Sequence, residues 1–447
     1  MWLDTLPVLH VLSFRSNNNL NGEIPLSICN LTSPKILDLA KTNMKGAIPQ
    51  CLGNINELMV LDMRHNNLSG TFQSTFSIGS VLKSFNLHGN KLVEKIPRSL
   101  ANCHQLQVLD IGDNLLNDTV PMLLGTLPEL QVLSLRSNKL HGPIRTSRIM
   151  KNLFPKLQII DLACNAFTAE LPANLFQSLE ALKGIDQIEE ESSNKGDRHY
   201  RHSFFFTWIG GHWMDGNYQD SITIVTKGLQ LEVVSLILSL YTTIDFSSNR
   251  FEGHVPSIMG DLIELRVLNL SHNGLQGHIP PSLGNLHLVE SLDLSANHLA
   301  GEIPEQLTSL TFLAFLNLSH NHLQGCIPTG CQFATFEMNS YVGNDGLCGF
   351  PVSEGCGSSG MPATNNTKPV LDQESNSTFL SEFRKAVLMG YGSGLIIGFS
   401  IAYFMLSARN PNWLSRISEE LEYRIIMRRR KKQRDHQRNY RRRTNHI

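Results

Sequence analysis

The string L-x-L-x-x-N-x-L-x-G-x-I-P returns along this chain at a nearly fixed interval, and such a period limits the fold more than any local propensity does. Copies begin at Leu61, Phe85, Leu109, Leu133 and Ile160, and after a gap at Ile244, Leu268, Leu292 and Leu316. Two earlier copies begin at Leu12, with one extra residue in its asparagine run, and at Leu37, where Thr42 stands in place of the asparagine. The spacings between these eleven copies are 25, 24, 24, 24, 24, 27, 84, 24, 24 and 24 residues. Composition agrees: 447 residues include 65 Leu and 37 Asn, while charged residues make up only 17%, against about a quarter in ordinary globular chains.

A unit of this length and consensus is a leucine-rich repeat, and the expected fold class is an α/β repeat solenoid. Side chains alternate along a strand, so the two consensus apolar residues of each copy point inward and those between them point outward. The outward positions line one concave parallel sheet. The Asn closes the strand, its amide able to donate to and accept from the backbone of neighbouring coils that would otherwise be buried unpaired. Gly then permits a tight bend and Pro stiffens it. With strands about 4.8 Å apart, eleven coils make an arc roughly 50 Å long.

The net charge of −1 is a cancellation. Residues 409–447 carry 13 Lys/Arg and four Asp/Glu, a net of +9, which leaves −10 on residues 1–408. Between the two regions, residues 386–408 hold no charge at all. Twenty-three residues of helix reach about 34 Å, enough to cross a hydrocarbon core of roughly 30 Å. The basic run Arg428, Arg429, Arg430, Lys431 and Lys432 predicts a cytosolic C-terminus held to anionic lipid, with residues 1–385 outside. Exporting so large a region requires a signal peptide. The start Met1-Trp2-Leu3-Asp4 has neither a basic region nor an apolar run, so the expectation is an N-terminally truncated sequence.

The G-x-I-P form, present as Gly22-Glu23-Ile24-Pro25, Gly277-His278-Ile279-Pro280 and Gly301-Glu302-Ile303-Pro304, resembles the plant extracellular leucine-rich repeat. The order of segments resembles plant receptor-like proteins, in particular the tomato class for leaf-mould and Verticillium resistance. That resemblance implies seven repeats without an N-terminal cap over residues 1–172, an island interruption over 173–240 and four repeats over 241–330. After them come a C-terminal cap over 331–360 carrying the Gly343-to-Pro351 segment, an acidic juxtamembrane stretch over 361–385, a transmembrane helix over 386–408 and the tail. Departures are Cys326, Cys331 and the string His202 to Trp208. The resemblance further implies a single-pass plasma-membrane receptor in plant defence that binds an extracellular protein or peptide. Signalling would pass through an adaptor receptor-like kinase at the transmembrane helix and a ligand-recruited co-receptor kinase. A developmental peptide receptor, and a truncated product without activity, remain as alternatives. Cys348 and Cys356 resemble the paired cysteines of the family's cap, and Tyr218, Ser221, Thr226, Lys227 and Gly228 resemble its island.

Candidate sites follow from position. Asp62, Arg64, His65, Asn86, His88, Asp110, Asp113, Ser134 and Arg136 are the expected ligand stripe, since the concave face is the default binding surface of such arrays. The interruption is expected to share in recognition, as against an insertion merely tolerated on the surface. Seven sequons, at Asn30, Asn67, Asn117, Asn269, Asn317, Asn365 and Asn376, are glycosylation candidates; glycans at Asn269 and Asn317 would obstruct the last coils. Gly390, Gly394 and Gly398 form a small-residue ridge for a partner helix, and Tyr423 to Ile426 fits an endocytic Y-x-x-Φ signal. Cys103 and Cys164 are expected inside the coils, whereas Cys29 with Cys51, or Cys326 with Cys331, could bridge. A 39-residue tail without kinase motifs, and 17 scattered His without metal spacing, point away from enzymes, cofactors and metals. Nothing suggests nucleic-acid binding.

Overall fold

A computed structural model of the chain describes residues 9–31, 33–72, 75–145, 152–184, 221–234, 241–330, 332–353 and 356. Eleven parallel strands form one sheet, from Val11–Ser13 at one edge to Phe315–Asn317 at the other, one strand per repeat. We number the coils 1 to 11 in that order. In every pairing the consensus leucines align, as in Leu61↔Phe85 and Leu268↔Leu292. Each inward leucine therefore stacks on its counterpart in the next coil, and the core runs unbroken from Leu12 to Leu347. A fully buried leucine contributes roughly 1.5–3 kcal/mol relative to an exposed one, so the stack is the main source of stability.

The asparagine closes each turn as its chemistry dictates. Asn90 Nδ2 donates to Met63 O at 3.0 Å in the preceding coil and to Leu87 O at 3.0 Å in its own. Its Oδ1 accepts the Leu68 N–H at 3.1 Å. The same triad of bonds recurs at Asn114, Asn273, Asn297 and Asn321. Where Thr42 replaces it, the hydroxyl donates to Leu39 O at 2.8 Å and reaches only its own coil's carbonyl. Proline precedes the short 3-10 helices on the convex side, as Pro280 does at Pro281–Asn285. Gly277 has φ +80°, and a Cβ there would meet the His254 ring at 2.3 Å, so no side chain fits at that bend.

The 84-residue spacing leaves no gap in the array. Ile159↔Thr243, Ile160↔Ile244 and Asp161↔Asp245 pair directly, and Asn249 Nδ2 reaches Leu162 O at 3.0 Å across the insertion. Phenylalanines fill this junction: Phe246 lies 5.7 Å from Phe251 and 5.8 Å from Phe176, centroid to centroid. The helix Ala173–Ser178 and the turn Glu180–Leu182 bury Leu175, Phe176, Leu179 and Leu182, and so serve as the convex side of coil 7. Beyond coil 11, Asn344 repeats the asparagine role, donating to Leu318 O at 3.0 Å and Tyr341 O at 2.8 Å. The cap is thus a shortened further coil.

Cys29 is bonded to Cys51 across the convex sides of coils 1 and 2. Cys103 is buried, as expected, but Cys164 is exposed. It occupies the left-handed position before Asn165, with φ +54°, where the register turns side chains outward. Cys331 and the segments 361–385, 386–408 and 409–447, with Gly390, Gly394, Gly398, Tyr423, Ile426, Asn365 and Asn376, lie outside the described residues. Among the described residues no helix is long and apolar enough to cross a membrane.

Substituting Asn297→Ala strands the Leu275 N–H and leaves the carbonyls of Leu270 and Leu294 with one amide each, from Asn273 and Asn321. At about 1–3 kcal/mol for a buried group left unpaired, the unfolding free energy should fall by about 1–3 kcal/mol in chemical denaturation. Asn67→Ala, at an exposed side chain, should change it by under about 0.5 kcal/mol. Equal effects would remove the asparagine ladder from the account.

Candidate ligand site on the concave face

Within each coil the last strand residue sits between two inward leucines and faces the concave side. Most often it is Asp or Asn, and its Oδ1 accepts the N–H two residues on. Asp62 does this to Arg64 at 3.1 Å, Asn86 to His88 at 3.1 Å, Asp110 to Gly112 at 3.1 Å and Asp161 to Ala163 at 3.0 Å. These side chains cap the turn out of the sheet, a local role for short polar residues. Asn269 and Asn317 do the same, accepting from the backbone and the hydroxyl of Ser271 and Ser319, and both remain half-buried on the concave face. The sequons at Asn30, Asn67 and Asn117 are exposed.

The stripe expected as open surface is largely covered. Asp62, Arg64, Asn86, His88, Asp110, Ser134 and Arg136 are all buried; His65 is exposed and Asp113 half-exposed. Part of the cause is a β-hairpin from the interruption, Ser221–Thr226 with Leu229–Val234. Its two-residue turn is Lys227-Gly228, with φ +52° and +72°, the left-handed pair that joins tightly twisted strands. The Ser221 carbonyl accepts from Arg64 Nη1 and from Asn86 Nδ2. Ile222 and Ile224 pack on Val108, Val132 and Ile159, the first strand residues of coils 5 to 7. At the far end the Lys227 N–H bonds Ser291 Oγ at 3.3 Å, Lys227 Nζ lies 3.4 Å from Glu290, and Gly228 abuts Phe315. The hairpin therefore lies along the arc, from coils 3 and 4 to coils 10 and 11, across the strands beneath it. Ser221, Thr226, Lys227 and Gly228 are brought to the concave face with the charged stripe. Tyr218 lies outside the described residues.

Charges on the concave face are paired along the arc. Arg15 lies 3.8 Å from Asp38 and 3.7 Å from Asp62, and Arg64 lies 3.5 Å from Asp62. His88 holds Asp110 at 3.1 Å and Asp113 at 3.0 Å, one on each ring nitrogen. Burial alone would push its imidazole down, but the two carboxylates raise it to about 10. The hydrogen bond from His88 in turn holds Asp113 down at about 2. Arg136 donates to Asp161 at 2.8 Å. Asp161 is buried beside Asp245 in register, and burial, reinforced by that second carboxylate, pushes it up to about 7 against the pull of Arg136. Among the described residues, Asp245 Oδ2, Ser134 Oγ and Thr243 Oγ1 are buried without a hydrogen-bond partner. What the sequence reading missed is the hairpin's position and, with it, the role of the concave Asp column as turn caps; the recurrence of Asp or Asn two residues before the turn was the available signal.

The leucine-rich repeat family models match residues 56–116, 264–286, 288–310 and 312–333. Receptor-like protein 9DC3 of Solanum pimpinellifolium is 54% identical over 358 residues, covering 80% of this chain and 39% of that relative. Receptor-like protein Cf-9 of the same species is 55% identical over 353 residues, 78% of this chain and 38% of its own length. Receptor-like protein 34 of Arabidopsis thaliana is 48% identical over 273 residues, 61% of this chain and 26% of its own. The chain thus spans well under half the length of the curated relatives it matches. Among solved structures, one described as PEPR1-AtPEP1 superposes with a TM-score of 0.53 at 27% identity, covering 75% of this chain and 42% of that one. A TDR receptor superposes with a TM-score of 0.54 at 24% identity, covering 73% and 45%, and supports the fold.

His88 and Asp161 both bind a proton more tightly folded than unfolded, so both make the fold less stable as pH rises. For Asp161 the loss falls between its ordinary 3.8 and about 7, and for His88 between 6.5 and about 10. In thermal unfolding against pH, Asp161→Asn should flatten the lower window and His88→Gln the upper one. Slopes unchanged from the parent would show that neither group is held as described.

Proposed function

We propose that this chain, which belongs to the plant leucine-rich-repeat receptor-like proteins, acts at the cell surface as a receptor for an extracellular protein or peptide, with the concave face and its hairpin as the recognition surface. The observation that carries the reading is the hairpin seated on the charged floor of the arc. Ligand would meet Leu229 and Leu231, both exposed on the hairpin, together with His65 and Asp113 at its margins. Ser134 Oγ, Thr243 Oγ1 and Asp245 Oδ2, buried without a hydrogen-bond partner among the described residues, are polar atoms that a displaced hairpin would offer to a ligand.

In this reading residues 386–408 cross the membrane, the basic tail is cytosolic and signalling is borrowed. Gly390, Gly394 and Gly398 form the face for an adaptor receptor-like kinase, because small residues let two helices approach closely. A co-receptor kinase joins when ligand binds. Defence against microbes is the preferred role; an endogenous developmental peptide would use the same surface.

Behind a supplied secretion signal, the chain expressed in leaf cells should co-precipitate a receptor-like kinase, and the triple change G390L, G394L and G398L should cut the yield by about tenfold or more. An unchanged yield overturns the helix contact. Leaves expressing the chain should respond by cell death to microbial extracts, and the variant I222D with I224D, which unseats the hairpin, should change that response at equal surface abundance. A response only to plant-derived peptide fractions favours the developmental reading, and an identical response with the hairpin unseated removes the hairpin from recognition.

A further inference from the structure

The strand His322–Cys326 of coil 11 pairs in parallel with Gly346–Cys348 of the cap, and the register sets Cys326 directly opposite Cys348. Their sulfurs are 3.7 Å apart. Cys356 joins them, and the three Sγ atoms lie within 4.8 Å of one another, so Cys356 can pair with either. Three sulfurs can hold one disulfide among themselves, and the odd one then stands in contact with that bond. Cys326 and Cys356 are exposed and border a cavity of about 360 Å³ walled by Ile327, Phe333, Ala334 and Phe350, so the group is open to a small reactant.

We propose that Cys326, Cys348 and Cys356 form a thiol–disulfide exchange site, open to low-molecular-mass thiols and disulfides, that transfers the covalent anchor of Cys356 between the cap and the last repeat. The Cys326 thiolate attacks the Cys356 sulfur of the Cys348–Cys356 bond. A Cys326–Cys356 bond forms, Cys348 leaves as thiolate and takes a proton from water, and no net oxidation occurs. With a small disulfide, the odd thiolate instead attacks one of its sulfurs, giving a mixed disulfide and releasing one small thiolate. The two internal bonds do different things. Cys348–Cys356 closes a loop within the cap, at a separation of 8 residues. Cys326–Cys356, at a separation of 30, ties the chain leaving the cap to coil 11.

The test uses the full chain, secreted, with thiols trapped by N-ethylmaleimide at acid pH and digested without reduction by a Glu-specific protease. Cuts after Glu337 and Glu354 separate the peptides bearing Cys326, Cys348 and Cys356. Mass spectrometry should find both linkages to Cys356, each with the third cysteine alkylated, and both should persist in Cys331→Ser. Incubation with oxidised glutathione before trapping should convert the alkylated species to the glutathione adduct. Cys326→Ser should lose one linkage and Cys348→Ser the other, with thermal midpoints close to the parent confirming the fold. One linkage in every sample, or Cys326 wholly joined to Cys331, would overturn the proposal.

Discussion

A coil of this kind buries backbone at every turn, and a single side chain answers for it. The asparagine amide reaches the preceding coil's carbonyl, its own coil's carbonyl and the preceding coil's N–H. Those bonds fix where each strand ends, and the leucine stack can align only because the strands end in step. The concave floor and the seat of the hairpin inherit their geometry from that alignment. Buried polar groups of this sort are costly when half-satisfied, which explains why Thr42 is followed by help from Asn66, whose Oδ1 accepts the Thr42 N–H at 3.2 Å.

Charge on the inner face obeys a second constraint. Carboxylates at the strand ends are held by backbone N–H groups, and the bases between them are held by the carboxylates, so the face is crowded with charge that is already spoken for. Arg136 faces both Asp161 and Asp245, and burial raises the hold of the acid pair on a proton. A face built this way rewards partners that supply complementary polar atoms in fixed places and penalises those that merely cover it.

Legibility in the sequence followed the physics of each feature. Leucines and asparagines were readable because period and register leave them one location, and the unbroken array across the interruption was implied by the repeat resuming unchanged at Ile244. The Thr226-Lys227-Gly228 string was read through resemblance, and its physical meaning, a left-handed turn, appeared only with the backbone. Asp62, Asn86 and Asp110 looked like surface because strand alternation predicts direction but not what comes to rest on top. Cys164 differs for a simpler reason: its residue type favours the interior, but its position before Asn165 turns it outward. Cys326 was noted as a departure, but no spacing rule brings it beside Cys348 without the parallel pairing of the cap.

The direct pairing of Ile159–Asp161 with Thr243–Asp245 has a mechanical meaning. Tension applied between the two ends of the arc would travel through the ladder and the phenylalanine-filled junction, and the hairpin, fixed at coils 3 and 4 and again at coils 10 and 11, would share it as a strap across the concave side.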